Sequence, residues 1–202
     1  PEALKTAAAL NLLSPHVPLL FMGEEYGEEA PFIYFVSHTD PALIEAVRKG
    51  RKEEFPDFHG SEEPPDPEAE STFARCRIDP EKRHDGVHRG IFDFYRALVR
   101  ARKELPALRT LSKKGLKTAA RRGDILAMFR RHEGDEVACL FSFSPRPQSF
   151  SWPPGETEWR KRLDSAAAEW GGPGASAPDS LPPSRGEISL RPYNAVVYEK
   201  VK

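Results

Sequence analysis

Apolar positions in the first segment fall at Leu4, Ala8 and Leu12, flanked by Ala7 and Leu10. This 3.6-residue period predicts a helix over residues 2–13. Ser14-Pro15 ends it, because proline pushes the residue before it out of helical conformation. The period then gives way to a continuous apolar run, Val17 to Met22, which stops at Gly23 and releases Glu24, Glu25, Tyr26, Gly27, Glu28 and Glu29. A short unbroken run of this kind predicts a parallel strand buried on both faces. About sixty residues of irregular pattern follow, too long for an ordinary connection and therefore expected to be ordered and functional. Within them Asp40-Pro41 starts a short helix, with Leu43, Ile44 and Val47 on one face, that runs towards Glu54. The acidic, proline-rich stretch 62–70 reads as surface loop. A longer amphipathic helix is predicted from Val87 to Glu104, with Ile91, Phe94, Tyr95, Leu98 and Val99 on one stripe and Leu105-Pro106 as its stop.

Beyond Leu108 the period changes to two. Residues 124–131 and 136–143 flank Glu133-Gly134-Asp135 and predict a hairpin, and further short strands are expected at 159–164, 187–191 and 194–200. The Gly, Pro, Ser and Ala run over 171–186 predicts a flexible loop. The chain is thus expected to combine α/β and all-β parts: residues 1–108 as the end of an α/β domain, and residues 109–202 as a small antiparallel β domain.

Composition narrows the function. With 39% apolar and 10% aromatic residues, the 202-residue chain has enough to build a core. A formal charge of -1, from 30 basic and 31 acidic side chains, gives no electrostatic case for nucleic acid or an anionic membrane. No apolar stretch approaches the ~20 residues of a membrane span, and the N-terminus lacks the form of a signal peptide, so a soluble cytoplasmic protein is expected. Cys76 and Cys139 follow no metal or redox spacing and read as free, inert thiols. The opening Pro1-Glu2, already inside a helix, suggests a piece of a longer polypeptide.

Several groups bear on chemistry. Glu24, Glu25, Glu28 and Glu29 contain the residue type of an acid and base pair, but neighbours at a strand end point opposite ways, so a supporting role at the rim of a site is the better reading. Phe32, Tyr34 and Phe35 suit sugar rings, which offer an apolar C–H face to an aromatic one, and suit equally an anchor for the long loop. Ser37, His38 and Asp40 share the types of a hydrolytic triad without its spacing, and read as coincidence. His16, His38, His59, His84, His88 and His132 show no ligand spacing, so no metal or cofactor is expected. Trp152, Trp159 and Trp170 are either a carbohydrate platform or core, with core favoured in a small sandwich.

Residues Leu12 to Gly27 resemble the last barrel helix and strand of the α-amylase family of glycoside hydrolases. Pro31-Phe32-Ile33-Tyr34-Phe35 with His38 and Asp40-Pro41 is similar to the members of that family that act on malto-oligosyltrehalose, as are Pro65-Asp66-Pro67, Ser71-Thr72-Phe73, Ile78-Asp79 and His88-Arg89. The resemblance implies the closing helix-strand-helix part of a (β/α)8 TIM barrel followed by an antiparallel β-sandwich. It also implies a retaining mechanism with an aspartate nucleophile, a glutamate acid and base, and a second aspartate that steadies the distorted sugar. None of their motifs occurs here, so no catalytic residue is expected in this chain. What the resemblance assigns is a substrate-binding wall of Glu24, Glu25, Phe32, Tyr34, Phe35 and His38. The implied partners are malto-oligosyltrehalose or a related α-glucan, and the upstream barrel of the same polypeptide. The tail of a branching or debranching enzyme and a non-catalytic carbohydrate-binding module are the alternatives.

Overall fold

The computed structural model describes residues 1–54, 64–121, 124–153, 155–184 and 186–201. His59 and the start of the acidic 62–70 stretch lie outside them. Among the described residues the helices are α1 (Glu2–Leu13), α2 (Pro41–Glu54), α3 (Glu70–Arg75), α4 (Gly86–Glu104) and α5 (Pro106–Arg109). The strands are β1 (Leu116–Arg121), β2 (Ile125–His132), β3 (Asp135–Ser142), β4 (Gln148–Trp152), β5 (Trp159–Asp164), β6 (Ser180–Leu181), β7 (Gly186–Leu190) and β8 (Asn194–Lys200). The chain divides into two compact units, one of residues 1–27 with 81–202 and one of residues 28–80.

In the larger unit, a six-stranded antiparallel sheet ordered β1-β2-β3-β8-β5-β6 is covered on one face by α1, α4 and α5 and on the other by the two-stranded sheet β4-β7. Alternation along each strand sorts the side chains. Val137, Cys139, Phe141 and Val197 meet Leu12, Leu13, Phe94 and Leu98 of the helices, whereas Ala138, Leu140, Val196 and Tyr198 meet Phe150, Trp152, Ile188 and Leu190. Covering both faces makes β3 an almost unbroken apolar run. The β2-β3 hairpin closes through Glu133 (φ 50°) and Gly134 (φ 80°), the left-handed pair that matches the twist of its strands.

Two arginines close the C-terminal end of α1, whose last carbonyls have no partner within the helix. From α4, Arg102 donates to the carbonyls of Leu12, Ser14 (2.9 Å) and His16 (2.7 Å). Arg130 projects from the helix-facing side of β2, is buried, and donates to the carbonyls of Leu13 (2.6 Å), Leu108 (3.2 Å) and Thr110. These bonds fix where the chain leaves α1.

Three expectations change. Val17–Met22 belongs to no sheet of the described residues, where a buried parallel strand was expected: Leu19 is 86% and Val17 79% exposed, and no strand of the described residues pairs with it. A parallel strand is satisfied only by N–H and C=O groups of neighbouring strands, and those are supplied by no element described here. Second, residues 171–184 are pinned rather than loose. β6 pairs with β5, the Ala177 carbonyl accepts Lys161 Nζ–H at 2.7 Å, and a Cβ on Gly172 would stand 2.4 Å from the Ala166 carbonyl oxygen. Third, β1 and β4 add strands to those expected: β1 is a mostly exposed edge strand whose pairing comes from β2, and β4 alternates Ser149-Phe150-Ser151-Trp152 over only five residues.

Candidate functional site

The carboxylates after Gly23 hold backbone. Gly23 and Gly27 both adopt left-handed conformations (φ 89° and 69°) around a 3-10 turn, Glu24–Tyr26. Glu24 accepts the Phe21 N–H at 2.9 Å with one oxygen and the Tyr95 hydroxyl at 3.1 Å with the other. Glu25 accepts the Gly23 N–H at 3.0 Å. Tyr26 is buried, and its carbonyl lies 2.9 Å from His88 Nδ1 of α4. A side chain at Gly27 would be strained, because its φ is left-handed, and its Cβ, 2.8 Å from Ile91 Cδ1, would make the tip of Ile91 shift.

Burial, and then the Glu24 carboxylate, push the Tyr95 phenol above its ordinary 10.0, and burial likewise raises Tyr198. Burial also raises the Cys139 thiol from 9.0 to about 12. In all three the fold favours the protonated form. Their stabilisation is therefore complete below the ordinary pKa values and is lost as pH rises through the folded ones. Thermal unfolding scans should show a falling Tm from about pH 9 upward, and Cys139→Ala should move the onset towards about pH 10. An unchanged Tm between pH 8 and 11 would contradict this assignment. A neutral, buried thiol is also unreactive, as expected of Cys139.

In the smaller unit the aromatic segment lies open. Phe32 is 66% exposed, Tyr34 and Phe35 are also exposed, and His38 is half-buried. Phe35 meets Phe73 edge-on at 5.2 Å between ring centroids, and the Arg51 guanidinium lies 4.8 Å from the centroid of the Tyr34 ring. The Ile33 N–H points at Cys76 Sγ (3.3 Å), and the His38 N–H is held by the Glu68 carboxylate (3.2 and 3.3 Å). Glu28 accepts the N–H groups of Glu29 (2.8 Å), Ala30 (3.0 Å) and Asp79 (2.7 Å).

Of the residues assigned to a substrate wall, Glu24 and Glu25 therefore belong to the larger unit, and Phe32, Tyr34, Phe35 and His38 to the smaller. The supporting residues Tyr95, Asp66, Glu68 and Cys76 were not anticipated. Tyr95 was legible only as one more apolar residue of the α4 stripe, and Asp66 only as an acid between two prolines. Trp152 is core, in contact with Phe129, Phe150, Trp159 and Tyr198. Among the described residues no group of three or more His, Cys, Asp or Glu side chains is placed to hold a metal, and no helix is long and apolar enough to cross a membrane.

No family model matches the chain. It is 45% identical over 103 residues to the malto-oligosyltrehalose trehalohydrolase of Saccharolobus solfataricus, covering 51% of this chain and 16% of that protein. It is 35% identical over 152 residues to the protein of that name from Rhizobium sp. strain M-11, covering 75% and 25%. Among solved structures, a candidate alpha amylase from Salmonella typhimurium superposes with a TM-score of 0.75 at 28% identity, covering 99% of this chain and 31% of that one. A trehalulose synthase from Pseudomonas mesoacidophila, at 18% identity and a TM-score of 0.56 over 99% and 38%, shares the fold. The chain thus spans about a fifth of the length of the curated relatives it matches. It is a relative of the malto-oligosyltrehalose trehalohydrolases, glycoside hydrolases of the α-amylase family, matched over a portion of their length.

Proposed function

We propose that the chain is the C-terminal portion of a cytoplasmic retaining glycoside hydrolase that cleaves the α-1,4 bond next to the trehalose end of malto-oligosyltrehalose and releases trehalose. The observation that carries this reading is the shared name of the relatives, at 35–45% identity over half to three quarters of the chain. On this reading residues 1–108 close a (β/α)8 barrel whose other strands, and whose catalytic acids, lie elsewhere in the polypeptide, and residues 109–202 form its C-terminal β domain. Val17–Met22 then pairs with barrel strands, which accounts for an apolar segment left open to solvent. A groove of about 490 Å3 beside it combines the rings and alkyl groups of Leu20, Phe92, Tyr95 and Val99 with a charged rim that includes Glu25 and Arg96. Phe32, Tyr34, Phe35 and His38 contact the glucan, and Glu24 and Glu25 contribute by holding the Gly23–Gly27 turn.

Product analysis tests the reading. The longer polypeptide, given malto-oligosyltrehalose, is expected to release free trehalose, and the 202-residue chain alone is expected to release none. New or lost α-1,6 branch points in place of trehalose would assign a branching or debranching enzyme. Trehalose release by the isolated chain would place catalytic acids within it, against the reading.

A further inference from the structure

Asp66 stands between two prolines in a stretch to which sugar binding alone gives no role. Arg48 grips its carboxylate through two parallel bonds, Nε to Oδ1 at 3.0 Å and Nη2 to Oδ2 at 2.9 Å, and Arg48 is held in turn by Glu45 at 2.7 Å. A forked pair of this kind fixes distance and orientation together. Asp66 Oδ1 also accepts the Glu68 N–H at 3.1 Å, and the Asp66 carbonyl accepts the Thr72 hydroxyl at 2.7 Å and the Ala69 N–H at 3.2 Å.

The residues that Asp66 organises are the ones that meet the aromatic segment. The Pro67 carbonyl accepts the Val36 N–H at 2.9 Å, Glu68 holds the His38 N–H, Phe73 packs on Phe35, and Cys76 meets the Ile33 N–H. Anchors thus fall on residues 33, 35, 36 and 38, the Arg51 guanidinium lies on the Tyr34 ring, and the rings of Phe32 and Tyr34 keep much of their surface exposed. We propose that Asp66, locked by Arg48, is a positioning residue that sets the Phe32–His38 segment for glucan binding and so shapes which substrate is accepted. This rests on the sugar-binding reading of that segment. Because the Arg48–Asp66 pair is itself partly exposed, its loss costs the whole fold little and loosens the segment locally.

Asp66→Ala and Arg48→Ala are the test, with Tyr34→Ala as the control. In the 202-residue chain both variants should speed amide exchange at Val36 and His38 by about tenfold, with the Tm held within ~2 °C. In the longer polypeptide both should raise KM for malto-oligosyltrehalose about three- to tenfold while kcat stays within about twofold. Unchanged exchange at Val36 and His38 overturns the proposal whatever the kinetics. Faster exchange with an unmoved KM, in a protein where Tyr34→Ala raises KM, overturns the positioning role alone. A KM unmoved by all three variants overturns it together with the sugar-binding reading.

Discussion

Arg130→Ala is expected to lower the unfolding free energy by about 3–5 kcal/mol, because it strips one charged donor group from three carbonyls that water does not replace. Arg130 is buried on the helix-facing side of β2, and its guanidinium joins the end of α1 (Leu13) to the α5 region (Leu108, Thr110). The fork matters as much as the charge, since a planar guanidinium reaches several acceptors at once and an ammonium does not. The negative end of the α1 dipole adds to the need for a cation there. Arg130→Lys should therefore recover part of the loss, and Arg130→Met, which fills the volume without a donor, should recover little. For a chain of this size the alanine variant corresponds to a Tm lower by roughly 10 °C. A fall of under about 2 °C, in scans at neutral pH, would mean that the three carbonyls find other donors.

Trp152→Ala is the second large effect, at about 3–5 kcal/mol. Trp152 is 3% exposed, and its ring lies 5.3 Å from that of Trp159, 5.9 Å from those of Phe129 and Tyr198 and 6.4 Å from that of Phe150, between the two sheets. Removing it leaves a cavity walled by four aromatic rings that relax only in part, so transfer and cavity costs add. Trp152→Phe keeps most of the volume and should cost about half as much or less. Maltodextrin affinity of the 202-residue chain, measured by calorimetry, should be the same for wild type and Trp152→Phe. A lost affinity in that variant would instead make this tryptophan a sugar platform.

Much of the fold was readable because some signals are local. The α1 stripe and its stop at Ser14-Pro15, the α4 stripe closed by Leu105-Pro106, and the β2-β3 hairpin around Glu133-Gly134 all appear where predicted, as do β5 and β8. Each rests on neighbours a few residues apart, which periodicity and turn chemistry report directly. Val17–Met22 has no strand partner among the described residues, which is the same reason in reverse. Its apolar run specifies burial but carries no information on which strands would bury it. The aromatic segment was legible as residue types suited to sugar. Its anchors were not, because Glu68 and Cys76 lie 30 and 43 residues further along the chain than His38 and Ile33, whose amides they hold.

Periodicity, proline stops and glycine turns were enough to decide which residues form the helices and the central strands, and short motifs were enough to point to the α-amylase family. Only the tertiary structure decided that α1 and α4 share one core with the sheet, that Arg102 and Arg130 close α1, and that Trp152 is core. It also decided that Glu24, Glu25 and Glu28 hold backbone amides rather than standing free as an acid and base pair. A carboxylate, an arginine or an indole has the same residue letter in every role. Its role is set by which donors, acceptors and rings lie within about 3–6 Å of it, and folding brings those together from distant parts of the chain.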